Sequence, residues 1–185
     1  MRDNHLLHPK INRTEKADKQ FVQYTSPPLE KPFSTIEADI KNIYVHGANK
    51  NAYLLTFLCT FSRYALVWSL DYSMKSDQVI ALVNELVHHP LLLKQTNLNQ
   101  LKVIIRTDNG PQFIANRLTV ALQNLKITHE FISPGTPQQN GHIESFHNTV
   151  TRLVCDRNIF MDLGMAVDIF SDFYKAYNNT RVMKE

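Results

Sequence analysis

Along most of the chain, apolar residues either alternate with polar ones or recur every three or four positions, which predicts a mixture of strands and helices. Residues 36–41 alternate between an apolar and a polar face, the period of a half-buried strand. Residues 76–89 and 165–177 instead carry apolar stripes at helical spacing. The other predicted elements are strands at 52–60, 65–70, 102–106 and 128–132 and helices at 115–125 and around Glu144. This order predicts an α/β fold whose first three strands form an antiparallel trio.

The predicted helix around Glu144 follows a loop, residues 134–141, that is rich in Gly, Pro and polar residues. Gly135 and Gly141 are expected to act as hinges in that loop, because glycine has the widest choice of backbone conformations. The apolar stripe of the helix consists of Ile143, Phe146, His147, Val150, Leu153 and Val154. Because His147 lies on this stripe, we expect a packed histidine satisfied by one hydrogen bond.

Three carboxylates stand at the ends or on the faces of these rigid elements. Asp39 projects from the middle of the first strand, Asp108 lies just past the end of a later strand, and Glu144 lies near the start of its helix. Each alone has an ordinary reading: the polar face of a strand, a turn, or a favourable charge at a helix N-terminus. Together, they predict a set of hard oxygen ligands that suits Mg²⁺ or Mn²⁺ rather than zinc.

The segments around these carboxylates resemble the catalytic core shared by bacterial insertion-sequence transposases and retroviral integrases, the Asp-Asp-35-Glu recombinases. Thirty-five residues separate Asp108 from Glu144, as in that family. The matching segments are residues 36–41, 53–56, 61–63, 106–113, 133–147 and 177–181. The resemblance implies a ribonuclease H-like three-layer α/β fold with a five-stranded mixed sheet flanked by helices.

The resemblance also implies a chemistry. Asp39, Asp108 and Glu144 would hold two Mg²⁺ or Mn²⁺ ions. Water would attack a phosphodiester at a transposon end to leave a 3′-hydroxyl, and that hydroxyl would attack target DNA, each in one displacement. The partners implied are the transposon ends, the target DNA and further copies of the chain in a homo-oligomer. The residues expected to contact DNA are Gln138, Asn140, Asn148 and Arg152.

Two positions depart from the family pattern. Cys59 stands where relatives usually carry a non-catalytic aspartate, so we expect a change in local packing rather than in metal binding. Relatives commonly have a lysine seven residues after the glutamate, whereas this chain has Thr151 there and Arg152 one position later. The second departure predicts a weaker grip on DNA.

The composition of the chain excludes some classes of protein but does not predict a function. The net charge of +3 is mild, so composition alone does not predict a nucleic-acid partner. Cys59 and Cys155 are the chain's two cysteines, which excludes a zinc finger or a disulfide framework within it. Without a long apolar run or a signal-like start, we expect no membrane partner and a cytoplasmic, nucleoid-associated location in a bacterium. The expected organisation is an N-terminal connector at 1–32, a catalytic core at 33–181 and a C-terminal tail at 182–185.

Two alternatives to a transposase or integrase core stay open. The first is a ribonuclease H-like nuclease that cleaves without strand transfer. The second is a truncated transposase relic without catalysis, which is favoured modestly by Thr151 and by the lack of a helix-turn-helix pattern before the first strand.

Overall fold

The structure is a computed structural model that describes residues 19–22, 31–95 and 103–180. Its centre is a mixed sheet with the strand order β1-β6-β5-β2-β3-β4. The strands are β1 (Gln20–Phe21), β2 (Thr35–Val45), β3 (Lys50–Cys59), β4 (Ala65–Asp71), β5 (Ile104–Thr107) and β6 (Thr128–Phe131). The helices are α1 (Ser76–Val87), α2 (Pro90–Gln95), α3 (Asn116–Asn124), α4 (Gly141–Leu153) and α5 (Leu163–Asn179), with 3-10 turns at Pro137–Asn140 and Cys155–Arg157.

The sheet confirms the antiparallel trio and corrects the number of strands. β2, β3 and β4 are antiparallel neighbours, whereas β5 lies parallel to β2, and β6 lies parallel to β5. The five-stranded prediction was wrong, because β1 pairs in parallel with β6 as a sixth strand. β1 falls inside the segment that was expected to be a connector. Its two exposed residues are too few to show an alternating pattern.

The start of β2 is buried on both faces, so the prediction of a half-buried strand was wrong for residues 36–38, whereas residues 39–41 are partly exposed. Ile36 and Ala38 face a core built with α1 and α3. Ile43 and Val45 face a second core built with α4 and α5. Glu37, which was assigned to a polar outer face, has no exposed surface. The sheet therefore forms the middle of three layers, with a core on each side.

Helix α5 is fixed to the sheet by polar and aromatic contacts. The Tyr174 ring stacks on Trp68 with their centroids 4.6 Å apart, and its hydroxyl group forms a hydrogen bond with that of Thr56. The side chain of Asn178 accepts a hydrogen bond from the Ala65 amide and donates one to the Ala65 carbonyl. These contacts keep α5 over β3 and β4 on the side of the sheet that also carries α4.

Three local predictions concern Pro90, Leu153 and Cys59. α1 ends before Pro90, as predicted, and Pro90 then begins the short α2. Leu153 is 37% exposed, so its place in the predicted apolar stripe of α4 was wrong. The Cys59 thiol group is buried and accepts hydrogen bonds from the Phe33 and Ser62 amides, which is a packing role. No helix among the described residues is long and apolar enough to span a membrane.

Candidate active site

Asp39 and Asp108 lie side by side because β2 and β5 are parallel neighbours. The last pair in register between these strands is Ala38 with Thr107, so the two aspartates come one residue beyond it. Asp108 is held by a tight turn in which its side chain accepts a hydrogen bond from the Gly110 amide over 2.9 Å. A Cβ at Gly110 would come within 3.0 Å of the Asp108 carboxylate, so glycine permits this close turn. Both aspartates thus have defined positions at the edge of the sheet.

Glu144 approaches the same edge from above the sheet. It lies in the first turn of α4, which packs on β2, and it is exposed. The pKa of Glu144 is raised, mainly by burial and next by the negative charge of Asp39. The pKa of Asp108 is also raised, mainly by burial and in addition by the charge of Asp39. Asp39 is therefore close enough to repel each of the other two carboxylates.

The chemistry of this set fits a hard divalent cation. All three residues offer carboxylate oxygens, and the repulsion of Asp108 and Glu144 by Asp39 is the kind that a divalent cation would relieve. Within residues 19–22, 31–95 and 103–180, no three His, Cys, Asp or Glu side chains already stand in a metal-binding arrangement. Asp39 and Asp108 follow directly paired residues of neighbouring strands, whereas Glu144 lies exposed on α4.

His147 contributes to this site in a way that its sequence position did not reveal. It is 8% exposed, as expected for a packed histidine. Its Nδ1 lies 3.4 Å from a carboxylate oxygen of Asp39, and its Nε2 is buried without a hydrogen-bond partner within the described residues. The ring therefore supports Asp39 from α4, one turn after Glu144.

A buried carboxylate below the site joins β2 to α4. Glu37 has one oxygen 2.8 Å from Nδ1 of His142 and accepts a hydrogen bond from the Ile143 amide at the other, also over 2.8 Å. Burial raises the pKa of Glu37 to about 7, against the opposing effects of the Ile143 amide and Arg106. Sequence reasoning missed this role, because it placed Glu37 on a solvent-facing side of the strand.

A second buried contact holds the loop before α4. Arg106 has no exposed surface and forms an ion pair with Glu130 over 2.9 Å. It also donates a hydrogen bond to the Gln139 carbonyl over 3.1 Å. The available signal was the presence of charged residues inside apolar strand patterns, since a buried charge needs a partner. The sequence did not say which partner it would be.

The four residues expected to contact DNA differ in accessibility. Gln138 is exposed in the turn before α4, and Asn148 and Arg152 are exposed on α4 itself. Asn140 is only 3% exposed, so DNA could reach it only if the loop moved. The Thr151 hydroxyl group donates a hydrogen bond to the His147 carbonyl, which turns it toward the helix backbone.

An open cavity of about 530 Å³ lies beside the two aspartates. Its walls include Asp39, Asp108, Tyr53, Tyr72 and Gln112. Another cavity, of about 470 Å³ between α3 and β6, contains none of the three carboxylates. The cavity beside the aspartates thus provides room for a substrate at the edge of the sheet.

Two family models match the sequence, and both are described as an integrase core domain. The first covers residues 30–137 and the second covers residues 125–182. The first match alone extends over more than half of the chain and contains Asp39 and Asp108. The second contains Glu144.

Curated relatives include proteins of mobile elements and viruses. The chain is 36% identical over 77 residues to an uncharacterized 39.2 kDa protein of insertion element IS476 from Xanthomonas euvesicatoria, covering 42% of the chain and 22% of that protein. It is 25% identical over 187 residues to a putative integrase, ORF3, of Spiroplasma virus SpV1-C74, covering 94% of the chain and 49% of that protein. The transposase of insertion element IS904 from Lactococcus lactis is 24% identical over 142 residues, with 76% and 53% coverage. The chain thus spans about half or less of these relatives' lengths.

Solved structures agree on the fold. A chain of the simian T-cell lymphotropic virus intasome, in complex with PP2A regulatory subunit B56 gamma, superposes with a TM-score of 0.63 at 17% identity, covering 94% of this chain and 56% of that one. The catalytic domain of Mos1 mariner transposase gives a TM-score of 0.61 at 15% identity, with 78% and 71% coverage. These similarities confirm the ribonuclease H-like fold class. By its sequence match, the chain belongs to the integrase core domain family.

Proposed function

We propose that this chain is the catalytic core of a transposase or integrase, which cuts DNA strands and transfers the cut ends to a target with the help of divalent metal ions. The observation that carries the proposal is the approach of Asp39, Asp108 and Glu144 from three separate elements. The effect of the Asp39 charge, which raises the pKa of both Asp108 and Glu144, supports it, because repelling carboxylates favour a cation. Membership of the integrase core domain family supports the same chemistry.

Asp39, Asp108 and Glu144 are the residues that would hold the metal, as two Mg²⁺ or Mn²⁺ ions. When bound, such ions stabilise the charge on the attacking and leaving oxygens of a phosphoryl displacement. The strands and helix of the chain would position the carboxylates that hold these ions. The aspartates are fixed at adjacent strands, and Glu144 can swing in from the first turn of α4.

The substrate surface would run along α4. Glu144, Asn148 and Arg152 follow one another at intervals of four residues, so they lie in one row on that helix. Arg152 would pair with a DNA phosphate and Asn148 would donate a hydrogen bond to the backbone. Gln138 would contact the strand nearest the carboxylates, and Asn140 would join it only after movement of the loop.

The proposed substrates are the ends of a mobile element and a target DNA, brought together by a homo-oligomer. The names of the Spiroplasma virus and Lactococcus relatives, a putative integrase and a transposase, support this choice. The simian virus structure is an intasome, which supports assembly on DNA.

The first test compares the wild type with Asp108→Asn on labelled DNA duplexes that carry the sequences flanking the gene, in Mn²⁺ or Mg²⁺. Replacing a ligand carboxylate with a neutral amide should lower cleavage and joining by more than about 100-fold, the upper end for residues that merely support a metal ligand. Asp77→Asn is the matched control, because Asp77 is an exposed aspartate paired with Arg117 on α3. Its activity should equal that of the wild type.

The DNA products distinguish the proposed function from its alternatives. Metal-dependent joining that is lost in Asp108→Asn supports the transposase or integrase core. Cleavage without joining favours the nuclease. Full activity in Asp108→Asn contradicts the proposed site, and inactivity of a wild type that binds Mn²⁺ favours a core that depends on parts outside this chain.

A further inference from the structure

A buried polar layer lies directly beneath the three carboxylates. Glu37, Arg106 and His142 each precede one of them by two residues. Alternate residues of a strand point to the same face, so Glu37 and Arg106 lie on the same side as the aspartates and one step inward. They are also direct partners in the register between β2 and β5, and Arg106 is the direct partner of Glu130 on β6.

This layer ties together the three elements that carry the carboxylates. Glu37 reaches from β2 to the His142 ring and the Ile143 amide on α4, each over 2.8 Å. Arg106 reaches from β5 to the Gln139 carbonyl in the turn just before α4. The start of α4 is thus held by β2 directly and by β5 through the turn.

The first turn of α4 depends on Glu37 for part of its hydrogen bonding. The residue at the N-cap, Asn140, makes no side-chain capping bond to the helix. The Glu37 carboxylate instead accepts the Ile143 amide from the sheet, and a negative charge at this end of a helix is favourable. Full burial of a carboxylate is costly, and an apolar residue would fill the same space without that cost. The bonds of Glu37 to His142 and Ile143 offset part of this cost and fix the first turn of α4 against the sheet.

We propose that Glu37 is a positioning residue, which sets the height and angle of α4 on the sheet so that Glu144 can meet Asp39 and Asp108. This inference rests on the proposed function. Glu144 directly follows Ile143, the residue whose amide Glu37 holds, so a shift of the first turn moves Glu144 with it. Glu37 itself has no exposed surface, so it would act on the reaction through α4 and not by contact with DNA.

The test measures Mn²⁺ affinity by calorimetry, and the rate and KM of DNA cleavage, in Glu37→Ala and Glu37→Gln. Glu37→Ala should bind Mn²⁺ about 10–100-fold more weakly, as for other residues that support metal ligands, and cleave more slowly with an unchanged KM for DNA. Hydrogen exchange of the Ile143 amide should accelerate. Glu37→Gln should stay close to the wild type, because its oxygen can accept the Ile143 amide and its NH₂ group can donate to His142 in the other tautomer.

Leu82→Ala is the control for simple loss of stability, since Leu82 is buried in the core on the opposite face of the sheet. It should unfold more easily and bind Mn²⁺ as the wild type does. Wild-type affinity in Glu37→Ala, or an equal loss in Leu82→Ala, would overturn the positioning role. If Glu37→Ala does not fold, Glu37→Asp decides, because its shorter carboxylate does not reach α4: weakened Mn²⁺ binding supports the role and unchanged binding overturns it. A wild type that neither binds Mn²⁺ nor cuts DNA overturns the proposed function itself, before any variant is compared.

Discussion

At the scale of single residues, the titration of His129 should weaken folding in acid. Its Nε2 lies 3.0 Å from the Thr107 hydroxyl group, and its ring centroid lies 4.1 Å from that of Phe131. Burial, followed by the charge of Lys19, lowers the pKa of His129 to about 4. Between about pH 6.5 and 4, the unfolded chain therefore binds a proton that the folded chain does not bind. The stability that the neutral His129 side chain contributes is therefore lost as the pH falls through this window.

We predict that His129→Gln removes this dependence, which amounts to no more than about 3 kcal/mol of unfolding free energy. Glu37 acts in the opposite direction, because its raised pKa makes the folded state the better proton binder between about pH 4.5 and 7. The measurement is thus the difference between wild type and variant in urea unfolding at several pH values. His88→Gln, at an exposed histidine, is the control and should leave the pH dependence unchanged. Identical curves for wild type and His129→Gln would contradict the prediction.

The carboxylates and their supporting residues differ in how far sequence could reveal them. Asp39, Asp108 and Glu144 were predicted as metal ligands because each lies at a defined point of a strand or helix, inside segments that resemble the transposase and integrase core. The buried roles of Glu37 and Glu130 were not predicted. These residues lie on β2 and β6, and their partner Arg106 lies on β5 between them. That neighbourhood depends on the strand order β6-β5-β2, which no local pattern contains.

At the scale of elements, the hairpin between β2 and β3 touches the segment that joins α4 to α5. The His46 amide donates a hydrogen bond to the Phe160 carbonyl over 2.7 Å. A Cβ at Gly47 would lie 1.9 Å from the Met161 carbonyl oxygen, which is far inside van der Waals contact. Glycine at 47 is therefore what allows this approach.

We predict that Gly47→Ala lowers the free energy of unfolding by about 1–3 kcal/mol, the usual cost of overpacking, as measured by urea unfolding. Gly141→Ala is the matched control. Nothing lies within 4 Å of a Cβ at Gly141, and its φ of −63° is helical. That change should be neutral or stabilise by up to about 1 kcal/mol. Equal stability of the two variants would show that the hairpin moves away without cost.

Most strands and helices were predicted from their apolar patterns, whereas the two-residue β1 and the short α2 were not. β2, β3, α1 and α5 each bury a repeating set of apolar residues, so their periods appear in the sequence. β1 has two residues and exists through its pairing with β6. Gly141 was expected to be a hinge, but in the structure it is the first residue of α4.

At the scale of the whole molecule, one sheet separates two cores and belongs to both. Leu82 on α1 contributes to one core and Phe170 on α5 contributes to the other. Since β2, β3 and β4 each have side chains in both, neither core can be exposed without disturbing the other. The described residues should therefore unfold as one cooperative unit.

We predict that Leu82→Ala lowers the free energy of unfolding by about 2–5 kcal/mol and Phe170→Ala by about 3–5 kcal/mol, each within a single transition. The measurement is urea unfolding followed by far-UV and near-UV circular dichroism. Coincident curves for both signals are expected in both variants. Two separate transitions in either variant would mean that one layer of helices can leave the sheet alone.

The layers themselves were predictable from the order of strands and helices, but the burial of β2 on both faces was not. Its polar residues at 37, 39 and 41 give the pattern of a solvent-facing side. In the structure, α4 covers that side, and the charged groups are satisfied by partners distant in sequence. Apparent polarity in a strand can therefore mark a buried site as readily as a surface.

Because Trp68 stacks on Tyr174 of α5, its fluorescence reports on the side of the sheet that α5 covers. Trp68 is the chain's single tryptophan. Selective excitation of its indole ring therefore reports from the layer that holds α4, and far-UV signals average over every helix and strand. An emission shift that follows added Mn²⁺ or DNA would trace a rearrangement on this side of the sheet without any attached dye.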